Sequence, residues 1–250
     1  MDTPGVHALR GQTRGQLGKI MVQSAWQSFA VANCIVLVID GDLYLRKPDF
    51  MERDLAPLIQ PLAEEERPVV VVVNKVDLFH DKSRMLPLLE SVAQMFPKAE
   101  IFPASALRRN GVEQLLELIR SHLPEGEAQF PEDQLSTAPM KFMAAEIIRE
   151  KLLRTLNDEI PHGTAVVIES FEEKPDIIKI RAEIYCEKDS HKGIIIGKNG
   201  AELKKVGTWA REDMEAFFGV KVALDLWVKV KENWRDSAAL LSTFGFKEEN

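Results

Sequence analysis

The sequence predicts two domains in series: an α/β domain with a mostly parallel sheet, then a smaller α+β domain. Three observations carry this. Between residues 19 and 121, short unbroken apolar runs alternate with helical patterns, which is how a parallel sheet covered on both faces reads. Residues 124–139 hold Pro124, Gly126, Pro131 and Pro139 among acidic residues, the composition of a linker. Beyond it the order becomes helix, strand, strand, helix, helix, strand. The 250 residues suit one to two domains at about 150 residues each. The expected division is 1–123, a linker at 124–139, and 140–250.

In the first half the expected strands are 33–39, Val69–Val73 and Glu100–Pro103, each a dense β-branched or apolar run. Helical spacing predicts helices over 51–63, 82–95 and 111–121, the last opened by Asn110-Gly111. In the second half a helix over 140–158 carries Phe142, Ala145, Ile148, Leu152 and Leu156 on one buried face. Two strands follow. The second alternates Ile178, Ile180, Ala182, Ile184 and Cys186 on one face with Lys179, Arg181 and Glu183 on the other. A short apolar turn, Gly193-Ile194-Ile195-Ile196, leads through Gly197 and Gly200 into a helix striped by Leu203, Val206, Ala210, Met214 and Phe217. The final strand alternates Val220, Val222, Leu224, Leu226, Val228 and Val230 inward.

Composition narrows the function classes. With 45% hydrophobic and 28% charged residues, disorder, collagen and coiled coil are excluded. The longest apolar runs, Cys34–Ile39 and Val69–Val73, fall far short of the ~18 residues that span a bilayer. Cys34 and Cys186 cannot build a disulfide framework or zinc cluster and are expected to be small core hydrophobes, consistent with a reducing, cytoplasmic setting. Met1-Asp2-Thr3-Pro4-Gly5 lacks the basic-then-apolar design of an export signal. The net charge of −7 argues against bulk nucleic-acid coating and DNA is not an expected partner, which leaves a local basic patch.

The sharpest motif is Asn74-Lys75-Val76-Asp77, at the end of the strand Val69–Val73. Open α/β sheets bind ligands at the carboxyl ends of their strands. A carboxylate there accepts two hydrogen bonds from guanine's ring N–H and amino group, and an Asn amide reaches the ring's acceptors. Three fixed residues arise by chance in such a chain about 0.03 times, so the motif is moderate support alone. Ser105-Ala106-Leu107 follows the next strand, where small residues let backbone N–H groups approach the base carbonyl oxygen. Asp2-Thr3-Pro4-Gly5 offers a carboxylate for a metal's water shell and a glycine N–H for a terminal phosphate. A phosphate loop needs Gly, four residues, then Gly-Lys-Ser/Thr; neither Gly18-Lys19-Ile20 nor Gly197-Lys198-Asn199 fits.

Gly197-Lys198-Asn199-Gly200 sits between two helical stretches. Two glycines three apart occur about once by chance in a chain of this length, so the setting decides. After Ile194-Ile195-Ile196 and before an amphipathic helix, it matches the loop with which KH domains clamp a nucleic-acid backbone beside an apolar groove. Lys188, Lys192, Lys198, Lys204, Lys205 and Arg211 surround it against only Asp189 and Glu202, a local inversion of the chain's acidity. Trp227 lies opposite the Val/Leu stripe, either partly exposed or covered by the C-terminal segment, and packing is the expected role over base stacking. The scattered histidines His7, His80, His122, His162 and His191 indicate no catalytic metal site.

Taken in order, the nucleotide motifs resemble the third, fourth and fifth guanine-nucleotide motifs of translation-factor-related GTPases. Ala145–Lys151, Glu159-Ile160-Pro161, Lys192–Gly197 and Leu226–Val230 are similar to the KH half of the Era family of ribosome-associated GTPases. Tandem GTPases of the Der type also carry a KH-like domain, but the intact Gly-Lys-Asn-Gly loop favours Era. The resemblance implies a partial P-loop GTPase domain followed by an α+β type II KH domain. It implies binding of small-subunit ribosomal RNA near its 3′ end, help in assembling the 30S-type subunit under control of GTP and GDP with Mg²⁺, and, for some members, peripheral membrane association. Carried over by position, Asp2 and Gly5 serve the Mg²⁺ and phosphate end, with Asp2 the metal residue. Asn74, Lys75 and Asp77 serve the guanine, Ser105 and Ala106 the base carbonyl, and Lys192, Gly197, Lys198, Asn199, Gly200, Lys204 and Lys205 the RNA. Val6 stands where Ras-like enzymes have a water-orienting Gln, implying slow hydrolysis. With no phosphate loop in these residues, the expectation is doubtful nucleotide binding, no turnover, and an unpaired apolar edge at Ile35, Leu37 and Ile39. The competing reading is a nucleotide-independent KH RNA-binding module with a degenerate G-domain remnant.

Overall fold

A computed structural model of the chain describes residues 3, 5, 15–79, 81–126, 139–156 and 163–244. They fall into two compact units, one within residues 1–127 and one within 128–248.

The first unit runs α1 (Gln16–Val31), β1 (Ile35–Asp40), α2 (Gly41–Arg46), α3 (Pro48–Glu64), β2 (Val69–Asn74), α4 (Met85–Met95), β3 (Glu100–Pro103) and α5 (Val112–His122). The sheet is parallel in the order β1-β2-β3, with Ile35 opposite Val69 and Val70 opposite Glu100. Its middle strand is covered on both faces, which is why it is unbroken valine. On one face Ile39, Val71 and Val73 pack with Met51, Leu55, Leu58 and Leu62, a helical stripe of α3, and with Leu88 and Val92 of α4. On the other face Val70, Val72 and Ala104 meet Leu115 and Leu118 of α5.

Three local expectations are adjusted by the structure. Among the described residues β1 is the outer strand and pairs with β2 alone, but Ile35, Leu37 and Ile39 are not bare: they share the α3-side face and pack into its core, whereas Val36 and Val38 point to the other face and are 37% and 59% exposed. The stretch from Lys82 to Arg84 is a separate 3-10 turn, and α4 begins only at Met85. Helix α3 starts earlier than expected, at Pro48, because a proline in the first turn forfeits no helical hydrogen bond.

The second unit runs α6 (Met140–Thr155), β4 (Ala165–Lys174), β5 (Ile177–Cys186), α7 (Asp189–Ile196), α8 (Ala201–Phe218), β6 (Lys221–Val230) and α9 (Ala238–Thr243). Its sheet has the order β4-β5-β6. β4 and β5 form an antiparallel hairpin, while β6 returns parallel to β5 with Ile177 opposite Lys221. A parallel return requires a crossover, and α7 and α8 supply it. Ile178, Ile180, Ala182, Ile184 and Cys186 all face the core, against Ala144, Ile148 and Leu152 of α6 and Val206, Ala210 and Met214 of α8.

Departures from the periodic reading have local causes. Gly193-Ile194-Ile195-Ile196 is the last turn of α7: Ile195 is fully buried and Ile194 half exposed, as a helix demands. Phe142 is 55% exposed, because α6 is rotated to bury Ala144, Ile148 and Lys151 instead. Phe217 is also outside the core; its neighbour Phe218 packs inward, its ring 6.2 Å from Phe171. Glu183, expected on the solvent face, is buried between the Lys229 ammonium and the Tyr185 hydroxyl. Cys186 is buried and Cys34 half-buried, and burial pushes both thiols up. Trp227 is not covered: it is 58% exposed, and it is Trp234 that packs, against Phe244. No described helix is long and apolar enough to cross a membrane.

Candidate functional site

Strand β2 runs out at Asn74, and the chain turns at once. Lys75 takes a left-handed backbone (φ 66°, ψ 29°), uncommon for a residue with a Cβ, and Val76–Leu78 form a 3-10 turn. Asn74 holds this geometry. Its Oδ1 accepts the N–H of Lys75 at 2.8 Å and that of Ala106 at 3.0 Å. One side-chain amide therefore ties together two loops far apart in sequence.

A second tie lies beside it. The fully buried Ser105 donates its hydroxyl to Asp77 Oδ1 at 2.5 Å and accepts the N–H of Arg108 at 3.2 Å. The main chain locks the two loops as well, Val76 N–H reaching Ala104 O at 3.2 Å. Asn74, Lys75, Asp77, Ser105 and Ala106 thus come together at the carboxyl edge of the sheet. With the Asn74 oxygen engaged by main-chain N–H groups, its NH₂ is left to donate to a ring acceptor, and Asp77 keeps Oδ2 for a ring N–H. That is the donor and acceptor pattern of a guanine site. Gly5 is exposed, and Asp2 lies outside the described residues.

Two residues here escaped the motif reading. Asp40, at the end of β1, takes the Lys75 ammonium at 2.7 Å and caps α2 by accepting the Leu43 N–H at 3.0 Å. Burial pushes its carboxyl up, but Lys75 and the cap together hold it below the usual carboxylate range. Gly41 follows. A Cβ there would lie 2.7 Å from Val73 Cγ1 and 2.9 Å from the Asn74 carbonyl oxygen, so the backbone passes beside the site only as glycine. The signal in the sequence was a carboxylate and glycine closing an apolar strand.

In the second unit, α7 ends at Gly197 (φ 73°), and Asn199 (φ 53°) and Gly200 (φ 77°) also take positive φ. A Cβ on Gly197 would lie 2.7 Å from Glu202 Cγ, whereas one on Gly200 would meet nothing within 4 Å. The first glycine is thus required by packing, and the second leaves the backbone accessible. The loop opens onto a groove of about 400 Å³ lined by Gly200, Leu203, Lys204, Gly207, Leu224 and Leu226. Leu224 and Leu226, expected to point fully inward, are half-buried and form its apolar wall. Lys198 and Asn199 are exposed at the tip and Lys192 is half-buried on α7. Lys204 and Arg211 line the groove, while Lys205 lies over the Trp209 ring, 4.8 Å from its centroid.

An α/β unit with a guanine-type base loop, followed by an αββααβ unit whose crossover carries a Gly-Lys-Asn-Gly loop, defines a G domain joined to a type II KH domain. Comparison with known proteins agrees. Residues 22–125 match the elongation factor Tu GTP binding domain family and residues 159–235 the KH domain family. The chain is 51% identical to GTPase Era of Nitratidesulfovibrio vulgaris strain DP4 over 98% of its own length and 79% of that protein's. It is 52% identical to GTPase Era of Desulfovibrio desulfuricans, covering 80% of it. Among solved structures, a tyrosine-to-alanine variant of Aquifex aeolicus Era bound to GDP·AlF₄⁻ superposes with a TM-score of 0.85 at 36% identity, over 98% of this chain and 80% of that one. Era in complex with MgGDPNP and nucleotides 1506–1542 of 16S ribosomal RNA gives 0.86, also at 36% identity and with the same coverage. The chain belongs to the Era family of GTPases.

Proposed function

We propose that this chain binds small-subunit ribosomal RNA near its 3′ end through the KH unit and assists assembly of the 30S-type subunit in the cytoplasm, with the first unit selecting a guanine nucleotide. The observation that carries the reading is the Gly197–Gly200 loop, with its accessible backbone at Gly200, opening onto a groove walled by Leu224 and Leu226 and flanked by Lys204 and Arg211. The open backbone meets phosphates, the apolar wall receives bases, and the cations set the salt dependence. One Era similar to it in fold was solved in complex with MgGDPNP and nucleotides 1506–1542 of 16S ribosomal RNA.

The nucleotide reading rests on the fit of the base site. Asp77 and Asn74 present the acceptor and donor that guanine needs, and Ser105 holds the carboxylate in place. A bound guanine nucleotide supplies a phosphate chain of variable charge, whose end the resemblance assigns, with Mg²⁺, to Asp2 and Gly5.

The test is affinity for an RNA of the last dozen or so nucleotides of small-subunit ribosomal RNA. Replacing Lys198 and Asn199 together by Asp places two negative charges at the loop tip and is expected to weaken binding tenfold or more, with a shallower dependence on salt. Equal affinity in the double variant would remove the loop from the RNA site.

A further inference from the structure

Strand β6 is an edge strand with two uses for its side chains. Leu224 and Leu226 face the groove, while Asp225 and Trp227 face the opposite side of the sheet, whose far end at Tyr185 is covered by Phe244. On that side the Trp227 indole N–H donates to Asp225 Oδ2 at 3.0 Å, and Arg181 on β5 stands 3.7 Å from the same carboxylate oxygen. The ring is therefore held in one orientation while 58% exposed. Arg181 is 59% and Lys229 51% exposed on the same face. An indole fixed by its own N–H, left open, and bordered by reachable cations is a stacking platform for a base whose phosphates need partners.

We propose that the exposed surface around Trp227 on this face of the KH sheet is a second RNA contact, in which a nucleotide leaving the groove passes around the β6 edge and stacks on Trp227. This rests on the RNA reading above. Continuity favours RNA over a protein as occupant: consecutive residues of one edge strand, Leu226 and Trp227, line the groove and the platform, so a single strand reaches both without crossing another element. A KH groove itself holds about four nucleotides, so longer RNA has to lie somewhere beyond it.

The experiment compares a four-nucleotide and a ten-nucleotide RNA from the 3′ end of small-subunit ribosomal RNA, titrated against the full chain, Trp227→Ala, Trp227→Phe and the Lys198→Asp, Asn199→Asp double variant. Trp227→Ala is expected to weaken the longer RNA about tenfold and leave the shorter unchanged, while Trp227→Phe keeps most of the affinity. Because the ring is exposed, Trp227→Ala should melt at the parent temperature, so the loss reads binding and not folding. If Trp227→Ala binds both RNAs like the parent while the double variant remains defective, the platform is overturned, the groove stands, and the indole is left for a protein partner. Parent binding by the double variant would instead overturn the RNA reading itself.

Discussion

Ser105 and Asp77 share one hydrogen, with Oγ to Oδ1 at 2.5 Å across 28 residues of sequence. A fully buried hydroxyl thereby fixes an exposed carboxylate, so the proposed guanine selectivity would depend on a residue the base need not touch.

Asp77→Asn exchanges an acceptor for a donor at the ring edge. Preference should move from guanine toward xanthine nucleotides by roughly 10- to 100-fold, the worth of one or two hydrogen bonds to a charged group. Competition between GDP and its xanthine counterpart measures it, and an unmoved preference would take Asp77 out of the site. Ser105→Ala, which keeps the carboxylate but frees it, should weaken guanine binding by a smaller factor without reversing the preference.

Glycine substitutions separate packing from propensity. Gly41→Ala forces a methyl against Val73 Cγ1, the Asn74 carbonyl and Phe79, the last at 3.0 Å, and should cost about 1–3 kcal/mol of stability. Gly193→Ala meets nothing within 4 Å inside α7 and should gain about 0.5–1 kcal/mol. Denaturant midpoints of the two variants should therefore move in opposite directions.

Arg67 closes the carboxyl end of α1, its Nη1 donating to Phe29 O at 2.9 Å and Ala32 O at 2.8 Å, and Glu65 aims it through Nη2 at 2.6 Å. The Arg67 guanidinium and backbone N–H hold the Glu65 carboxyl at about 2. A depressed carboxylate stabilises fully above its unfolded value, about 4.3, and that contribution disappears as pH falls toward 2. Glu65→Gln should flatten this part of the acid-unfolding curve, and a curve identical to the parent's between those values would show that the pair contributes nothing.

Much of the base site is legible in the sequence because guanine demands particular side chains at strand ends, and strand ends show as the close of apolar runs. Asn74, Asp77 and Ser105 could be found that way. Asp40 closes an apolar run too, but its pairing with Lys75 of another strand is what gives it a role, and no spacing rule links the two. Periodicity separates core from solvent but not core from groove, so Leu224 and Leu226 looked like core. Three isoleucines in a row have no period at all, which hid the end of α7. Glu183 shows the opposite failure: a charge on the outer register is buried because Lys229 and Tyr185 close over it.

The parallel return of β6 sets an order of events during synthesis. The Gly197–Gly200 loop is made before the strand that walls its groove, so a nascent chain carries the clamp without the surface it closes on. Docking β6 must first meet the loop-closure cost of the whole crossover. RNA that binds only the closed form then acts as a late brace, adding about 2.7 kcal/mol at a hundredfold excess over Kd. The brace falls on the last strand to arrive. Amide exchange along Leu224–Val230 should therefore slow more on RNA binding than exchange in β4, and the RNA would help complete the fold of the unit that grips it.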